Sequence, residues 1–565
     1  MKHCNETHKS CQQHQLKRTF IPSRLLDINS SDAERVRIIE TKNDESIKGP
    51  YMTVSHCWGD SKIFEPTKLT EEKKTEFITE GVVFETLPKS FQEAIEVCRY
   101  LGVAYIWIDS LCIVQGDSED WEQEAPLMHQ IYRNSYCNIA ATDSTDGRGG
   151  LFRGRTASDI VPTKYRAGNK SPFLCDRTWL VVAKDIWKDE LLFSPVYSRG
   201  WVFQERMLSP RLLHFAKHQV FWDCAAVSAC ETFPSGLPPQ LDKDAGTDRY
   251  WRASLQTPSS LRQQTLFGPA DYSLEYFWKN ALLCYTSCDL SKGKDKLIAL
   301  WGVAKLLRDA LGEQYGAGLW EGNLEEQLAW KVSECRLDER PQELSHNPTW
   351  SWASMGGAIQ THDRFLNTER CYHVTDHAGR PIRFELKDQG VELREPTQNC
   401  TEEFQRMDQK IAQMKGSKEH TTSSIERANQ RWNDILKTWD DQPELLCRSI
   451  QIQGHLVKMR LHENVSESKW VPEFLHNPSH DPNMGKFEVF PDVKPKTDQA
   501  LFLLVLAATE YQADETDFYK GYGIVLQRTD DERHYYRTGA LHFENISETT
   551  WKWLQNTDLI NFWLD

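Results

Sequence analysis

From Val103 to Ile108 the chain reads VAYIWI, an apolar run without alternation that ends on Asp109. A strand with one wet face alternates, whereas a strand covered on both faces is apolar throughout. Such a strand needs a layer of structure on each side of its sheet, which restricts the chain to a few architectures. The preceding residues supply one such layer. Between Leu87 and Leu101, Phe91, Ala94, Ile95, Cys98 and Leu101 fall at helical spacing, with Ser90 and Glu93 as a capping box and Gly102 as the stop. Upstream, Tyr51 to Val54 in YMTVSHCWGD is a short β run that hands over to a loop at Ser55, His56, Cys57, Trp58 and Gly59. Strand, helix and strand in this order predict a parallel pair.

The pattern then repeats. Trp121, Ala125, Met128 and Tyr132 share a helix face begun near Asp117 or Ser118, and YCNIAAT follows as a strand. RTWLVVAK at 177–184 is a further strand candidate, RGWVFQERML a short helix, and RLLHFAKHQVFWDC two β runs about a turn. These elements predict an open α/β domain over 46–235 with sites at the carboxyl ends of its parallel strands. In the N-terminal segment, 1–45, IPSRLLDI is an apolar patch suited to docking on a neighbouring domain. A helical extension over 250–360 is expected from SLEYFWKNALLCYTSC and DKLIALWGVAKLLRDALG. From 380 to 565 β signals dominate, interrupted by a charged insertion at 401–442.

Net charge and hydropathy exclude several function classes. At −15 and a pI near 5.7 the chain repels a phosphate backbone, so neither nucleic acid nor an anionic membrane is an expected partner. Its longest apolar run, Ala500 to Ala508, is far short of the ~20 residues of a membrane helix. The stretch MKHCNETHKSCQQHQLKRTF lacks the apolar centre of a secretory signal, and many of the 15 cysteines sit in apolar contexts, as buried thiols in a reducing compartment do. A cytoplasmic location is expected. No GxGxxG follows a strand and no GxxxxGK[ST] occurs, which disfavours a Rossmann dehydrogenase or a P-loop ATPase.

Three ordered blocks carry a resemblance: YMTVSHCWG; the run from LPKSFQEAIEVCRY through YIWIDSLCIVQGDSEDW to YCNIAA; and YSRGWVFQERMLSPRLLHF followed by VFWDC. Over roughly residues 20–230 the chain resembles the fungal heterokaryon incompatibility (HET) domain proteins, and that family is remotely similar to Toll/interleukin-1 receptor (TIR) domains. The resemblance implies a TIR-like, flavodoxin-like parallel sheet. It also implies a part in programmed cell death during heterokaryon incompatibility or fungal innate immunity, with self-association on activation and a protein partner of unknown identity. In enzymatically active TIR domains a glutamate on the matching helix serves NAD⁺ hydrolysis. By this similarity Glu205 is the candidate catalytic carboxylate, with NAD⁺ a substrate and no resident cofactor.

The residue chemistry fits that role. Cleaving a ribosyl–nicotinamide bond builds oxocarbenium charge, which a nearby carboxylate stabilises. Trp58 and Trp201 are placed to stack on a base, the backbone N–H groups of Ser55 to Gly59 to meet phosphate, and Asp109 to orient a ribose hydroxyl. In a helix Glu205 lies beside Trp201, four residues earlier. The plainer alternatives are a surface Glu205 paired with Arg199, Arg206 or Arg211, core tryptophans, and an Asp109 that caps a loop. His56 and Cys57, adjacent on a strand, point to opposite sides, so a cysteine hydrolase using Cys57 or Cys112 is weakly supported. Cys4, His8, Cys11 and His14 have metal-like spacing, but no apolar run lies beside them to fold around an ion, and no metal is assigned. The competing function is a non-catalytic interaction module.

Overall fold

The computed structural model describes residues 1–16, 20–29, 34–41, 47, 49–166, 178–256, 274–311, 315–320, 324–335, 337–362, 369–375, 449–464, 469–475, 485–496, 499–513 and 516–565. The charged insertion at 401–442 lies outside them. The chain divides into two compact units: Met1–Ser273 with Cys288–Leu290 and Ile298–Leu307, and Leu274–Ser287 with Ser291–Leu297 and Arg308–Asp565.

The first unit is built on a mixed sheet. Its strands are β1 (Arg24–Asp27), β2 (Arg35–Glu40), β3 (Tyr51–Ser55), β4 (Val82–Val83), β5 (Tyr105–Trp107), β6 (Asn138–Ala140), β9 (Arg211–Phe215), β10 (Val220–Cys224) and β11 (Ser228–Cys230), while β7 (Thr163–Arg166) and β8 (Thr178–Val181) form a separate hairpin. The spatial order is β11-β10-β9-β6-β3-β5-β1-β2-β4. Four central strands are parallel, with Thr53 opposite Trp107 on β5 and Asn138 on β6, and Ile139 opposite Leu213 on β9. Because β3 is the first of these four parallel strands in the chain yet lies between β5 and β6, the parallel strands run outward in both directions from it. The carboxyl ends of β3 and β6 therefore flank a switch point, where open α/β sheets leave a crevice.

Burial explains the central strands. Every residue of β3 is buried, and Ile106 and Trp107 of β5 are covered as the apolar run requires. The Lys89–Tyr100 helix lays Phe91, Ala94, Ile95 and Cys98 into the core, and Gly102 follows at φ +71°, a conformation glycine adopts without strain. Asp117 caps the Ser118–Glu124 helix by accepting from the Glu119 and Asp120 N–H groups at 2.9 and 3.3 Å. Pro126, which has no N–H to give, marks a one-turn break before the Met128–Asn134 helix resumes.

Four readings change. The sheet is not purely parallel, since β1, β2 and β4 on one side and β10 and β11 on the other are antiparallel additions. IPSRLLDI is no docking patch: its Arg24–Asp27 part is β1, paired with β5 inside the sheet. Ser90 and Glu93 do not form a capping box; Glu93 accepts instead from the backbone of Leu151 and, at 2.8 Å, of Phe152, tying a distant loop to its helix. The strand expected at 177–184 exists as β8, but in an exposed hairpin outside the main sheet.

The second unit carries the β-rich region. Strands Ile450–Asn464, Leu501–Ala513, Thr516–Arg528, His534–Ser547, Lys486–Pro491 and Lys469–Phe474 pair in that cyclic order, each antiparallel to the next, and the last returns to the first. The result is a closed barrel, which removes free edges. Its core includes Met459, Leu503, Val525, Leu541 and Phe543, with Trp551 of the Glu548–Gln555 helix packed against them.

Candidate active site

Glu205 projects from the Gly200–Leu208 helix into the first unit, and only 3% of its surface is exposed. Val202, Phe203, Gln204, Met207 and Leu208 of the same helix are also buried, so the helix is embedded and carries its carboxylate inside. The Ser55 hydroxyl, at the last residue of β3, donates to Glu205 Oε2. Asn138 Nδ2 on β6 donates to Ser55 Oγ at 2.8 Å, and Thr53 Oγ1 donates to Asn138 Oδ1 at 3.0 Å. The Tyr132 hydroxyl, which donates to the Val54 carbonyl at 3.4 Å, lies near enough to the carboxylate to lower its pKa. Strands β3 and β6 thus contribute a polar chain, fixed by their parallel register, that ends on one acidic group.

Electrostatics follow from burial. Desolvation raises the Glu205 carboxyl from its ordinary 4.5 to about 7, against the opposing effects of the Arg199 charge and the Ser55 hydrogen bond. The Arg199 guanidinium donates to the His56 carbonyl oxygen, which holds a positive charge near this centre. His56 is 3% exposed and pushed down to about 4 by burial, so its ring is neutral at pH 7, and neither ring nitrogen has a hydrogen-bond partner among the described residues. Its Nε2 lies 3.7 Å from Asp109 Oδ1, while Trp58 Nε1 donates to Asp109 Oδ2 at 2.9 Å. The His56 and Trp58 rings lie parallel within 9°.

The network residues fall into two sets, Glu205 with Ser55, Asn138 and Thr53, and Trp58 with Asp109 beside the His56 ring, which adjoin where Ser55 precedes His56 in the chain. Gly59, at φ +82°, turns the loop after β3; a Cβ there would stand 2.6 Å from that of Asp146. Cys57 does not join. It packs with Trp187, Tyr197 and Val202, and burial raises its thiol, as burial also raises Cys112 to about 12, so neither is an activated nucleophile. Trp201 is half-buried one turn before Glu205 on the same helix. The surface reading of Glu205 is overturned by its burial; Arg206 pairs with Asp248 and Arg211 binds Asn5, while Arg199 is the cation whose charge acts on it. A surface cleft of 330 Å³ beside Phe64, Pro88 and Arg148 contains none of the network residues.

Sequence reasoning missed Thr53, Tyr132 and Asn138, and named Arg199 only as a surface partner of Glu205. A signal existed for two of them: Thr53 and Asn138 are polar residues inside strands otherwise apolar on both faces, and a buried polar side chain must find a partner.

Residues 51–205 match the family model described as Heterokaryon incompatibility protein (HET). The match opens on the first residue of β3 and closes on Glu205, so it spans the network. No curated protein and no solved structure matches the chain.

Proposed function

Given a HET domain over residues 51–205, we propose that this chain is a cell-death effector of heterokaryon incompatibility or innate immunity, and that its TIR-like domain hydrolyses NAD⁺ through Glu205. The observation that carries this reading is the Ser55–Glu205 bond at the carboxyl end of β3, beside the switch point of the sheet. The order β5-β3-β6-β9 of the parallel strands, second-first-third-fourth along the chain, supports the flavodoxin-like assignment.

In the reaction, water adds to the ribosyl carbon and the glycosidic electron pair leaves with nicotinamide. The pyridinium departs as a neutral base, so no general acid is required. Ionised Glu205 stabilises the oxocarbenium charge and takes up the proton of the attacking water. Ser55 fixes its Oε2, and Trp58 and Asp109, the partly exposed members, line the approach. Self-association would open or complete this approach, since the carboxylate of a single chain is covered.

The test is nicotinamide release from NAD⁺ by the purified chain, alone and self-associated. Glu205→Gln is expected to lower turnover by about 10²–10³, the usual cost of losing one charge-stabilising group. Undiminished turnover in that variant removes Glu205 from the mechanism. The second reading, a non-catalytic interaction module, is favoured by the near-complete burial of Glu205, and it predicts no turnover in any assembled state.

A further inference from the structure

The spacing of Cys4, His8 and Cys11 leaves open what completes their set, and the fold supplies an answer from far along the chain. The Lys2–Thr7 and Lys9–Leu16 helices bring Cys4, His8 and Cys11 against Cys224, the last residue of β10. One ligand atom from each of these four residues lies within 4.8 Å of the other three. His14, the fourth member by spacing, has its side chain outside the described residues.

We propose that Cys4, His8, Cys11 and Cys224 form a structural zinc site that fastens the first helices to the end of β10 in the mixed sheet. Three thiols and one imidazole are a donor set that a closed tetrahedral zinc centre takes. The distances agree. With Zn–S about 2.3 Å and Zn–N about 2.05 Å, tetrahedral angles put a sulfur and a nitrogen ligand about 3.6 Å apart; His8 Nδ1 and Cys224 Sγ are 3.5 Å apart. The three cysteine donors, Cys4, Cys11 and Cys224, are free of disulfides and each 3% exposed or less. Burying three thiols together with an imidazole, rather than apolar side chains, has no packing advantage; an ion gives the cluster a reason.

The surroundings match the charge of such a centre. Three thiolates and one zinc ion leave one negative charge, and Arg211 on β9 places its Nε 3.4 Å from Cys4 Sγ. The same guanidinium holds Asn5 Oδ1 at 2.9 Å, and Asn5 in turn donates to the Tyr136 hydroxyl at 2.6 Å. A cation beside the ligand sulfur and a hydrogen-bonded frame around it are what orient and neutralise a metal site from outside. Trp222 and Val227 cover the thiols with apolar surface, which limits access of water.

The test uses the full-length chain without a histidine tag, purified under reducing conditions with no chelator. It should contain about one zinc ion per chain by elemental mass spectrometry, as a closed four-ligand site requires. Cys11→Ser and Cys224→Ser should lose it, and His14→Ala should keep it. Because a misfolded variant would lose metal for a trivial reason, the parent chain is also exchanged with cobalt(II): the intense visible bands of a tetrahedral thiolate–cobalt centre are expected. A folded parent chain that holds no zinc and takes up neither zinc nor cobalt overturns the proposal. So does full zinc retention in Cys224→Ser, or loss of zinc in His14→Ala with the fold intact.

Discussion

Glu205 stores an unfavourable charge where a neutral side chain would sit at no cost, and the sign of its effect on stability can be worked out. Its carboxyl binds a proton more tightly folded, at about 7, than at its ordinary 4.5, so stability is full below 4.5 and is lost as pH rises to 7. The loss is roughly 3 kcal/mol, an order-of-magnitude figure from about 1.4 kcal/mol per pH unit. His56 acts in the opposite sense, because its folded value of about 4 lies below the ordinary 6.5 and stability rises with pH between the two. The two slopes largely cancel in the parent. Glu205→Gln should therefore gain about 1–3 kcal/mol at pH 8 and expose the His56 slope below pH 6.5, as denaturant titrations at several pH values would show. No gain at pH 8 would mean that the carboxylate is well solvated. Ser55 and Asp109 were legible through strand-end logic, Glu205 through the family resemblance and Arg199 as its charge partner, but Tyr132 was not. Tyr132 reads as one more apolar position on a helix face, and only three-dimensional packing brings its hydroxyl near an acid 73 residues away.

Elements were legible where burial is one-sided or complete. Helical spacing fixed the Lys89–Tyr100 helix, and continuous apolar runs fixed β3 and β5, because both patterns record which face meets the core. Strand order, and the antiparallel additions at each side of the sheet, leave no such record; they depend on pairing partners distant in the chain. Glu93 shows how a local rule yields to a tertiary one. Its position suits a helix cap, yet its carboxylate satisfies two backbone N–H groups at Leu151 and Phe152, one of them in a buried residue. Gly150 sits so close that a Cβ there would meet Glu93 Oε2 at 2.5 Å. Glu93→Ala should cost about 1–3 kcal/mol in urea unfolding, the penalty for buried donors left unpaired, and should speed hydrogen exchange at Leu151. A change within a few tenths of a kcal/mol would place the loop's stability elsewhere.

Each of the two compact units buries apolar clusters of its own, the second inside the barrel. The barrel unit centres on an ion pair rather than on apolar packing alone. Arg537 and Asp492 are both fully buried, bonded at 2.5 and 2.6 Å, and the guanidinium lies 3.5 Å over the Trp330 ring while donating to the Leu328 and Trp330 carbonyls. Arg537→Met should cost about 3–5 kcal/mol, since it strands Asp492 with Arg340 as its remaining cation. Calorimetry would check this; a loss below 1 kcal/mol would show that Arg340 compensates. The two halves of the Ser55–Glu205 bond are 150 residues apart. At a synthesis rate of roughly 5–20 residues per second, a ribosome emits the serine about 8–30 s before the glutamate. A translation product broken off anywhere in that interval carries the strand but not the acid, so an unfinished copy lacks the pair on which the proposed hydrolysis rests.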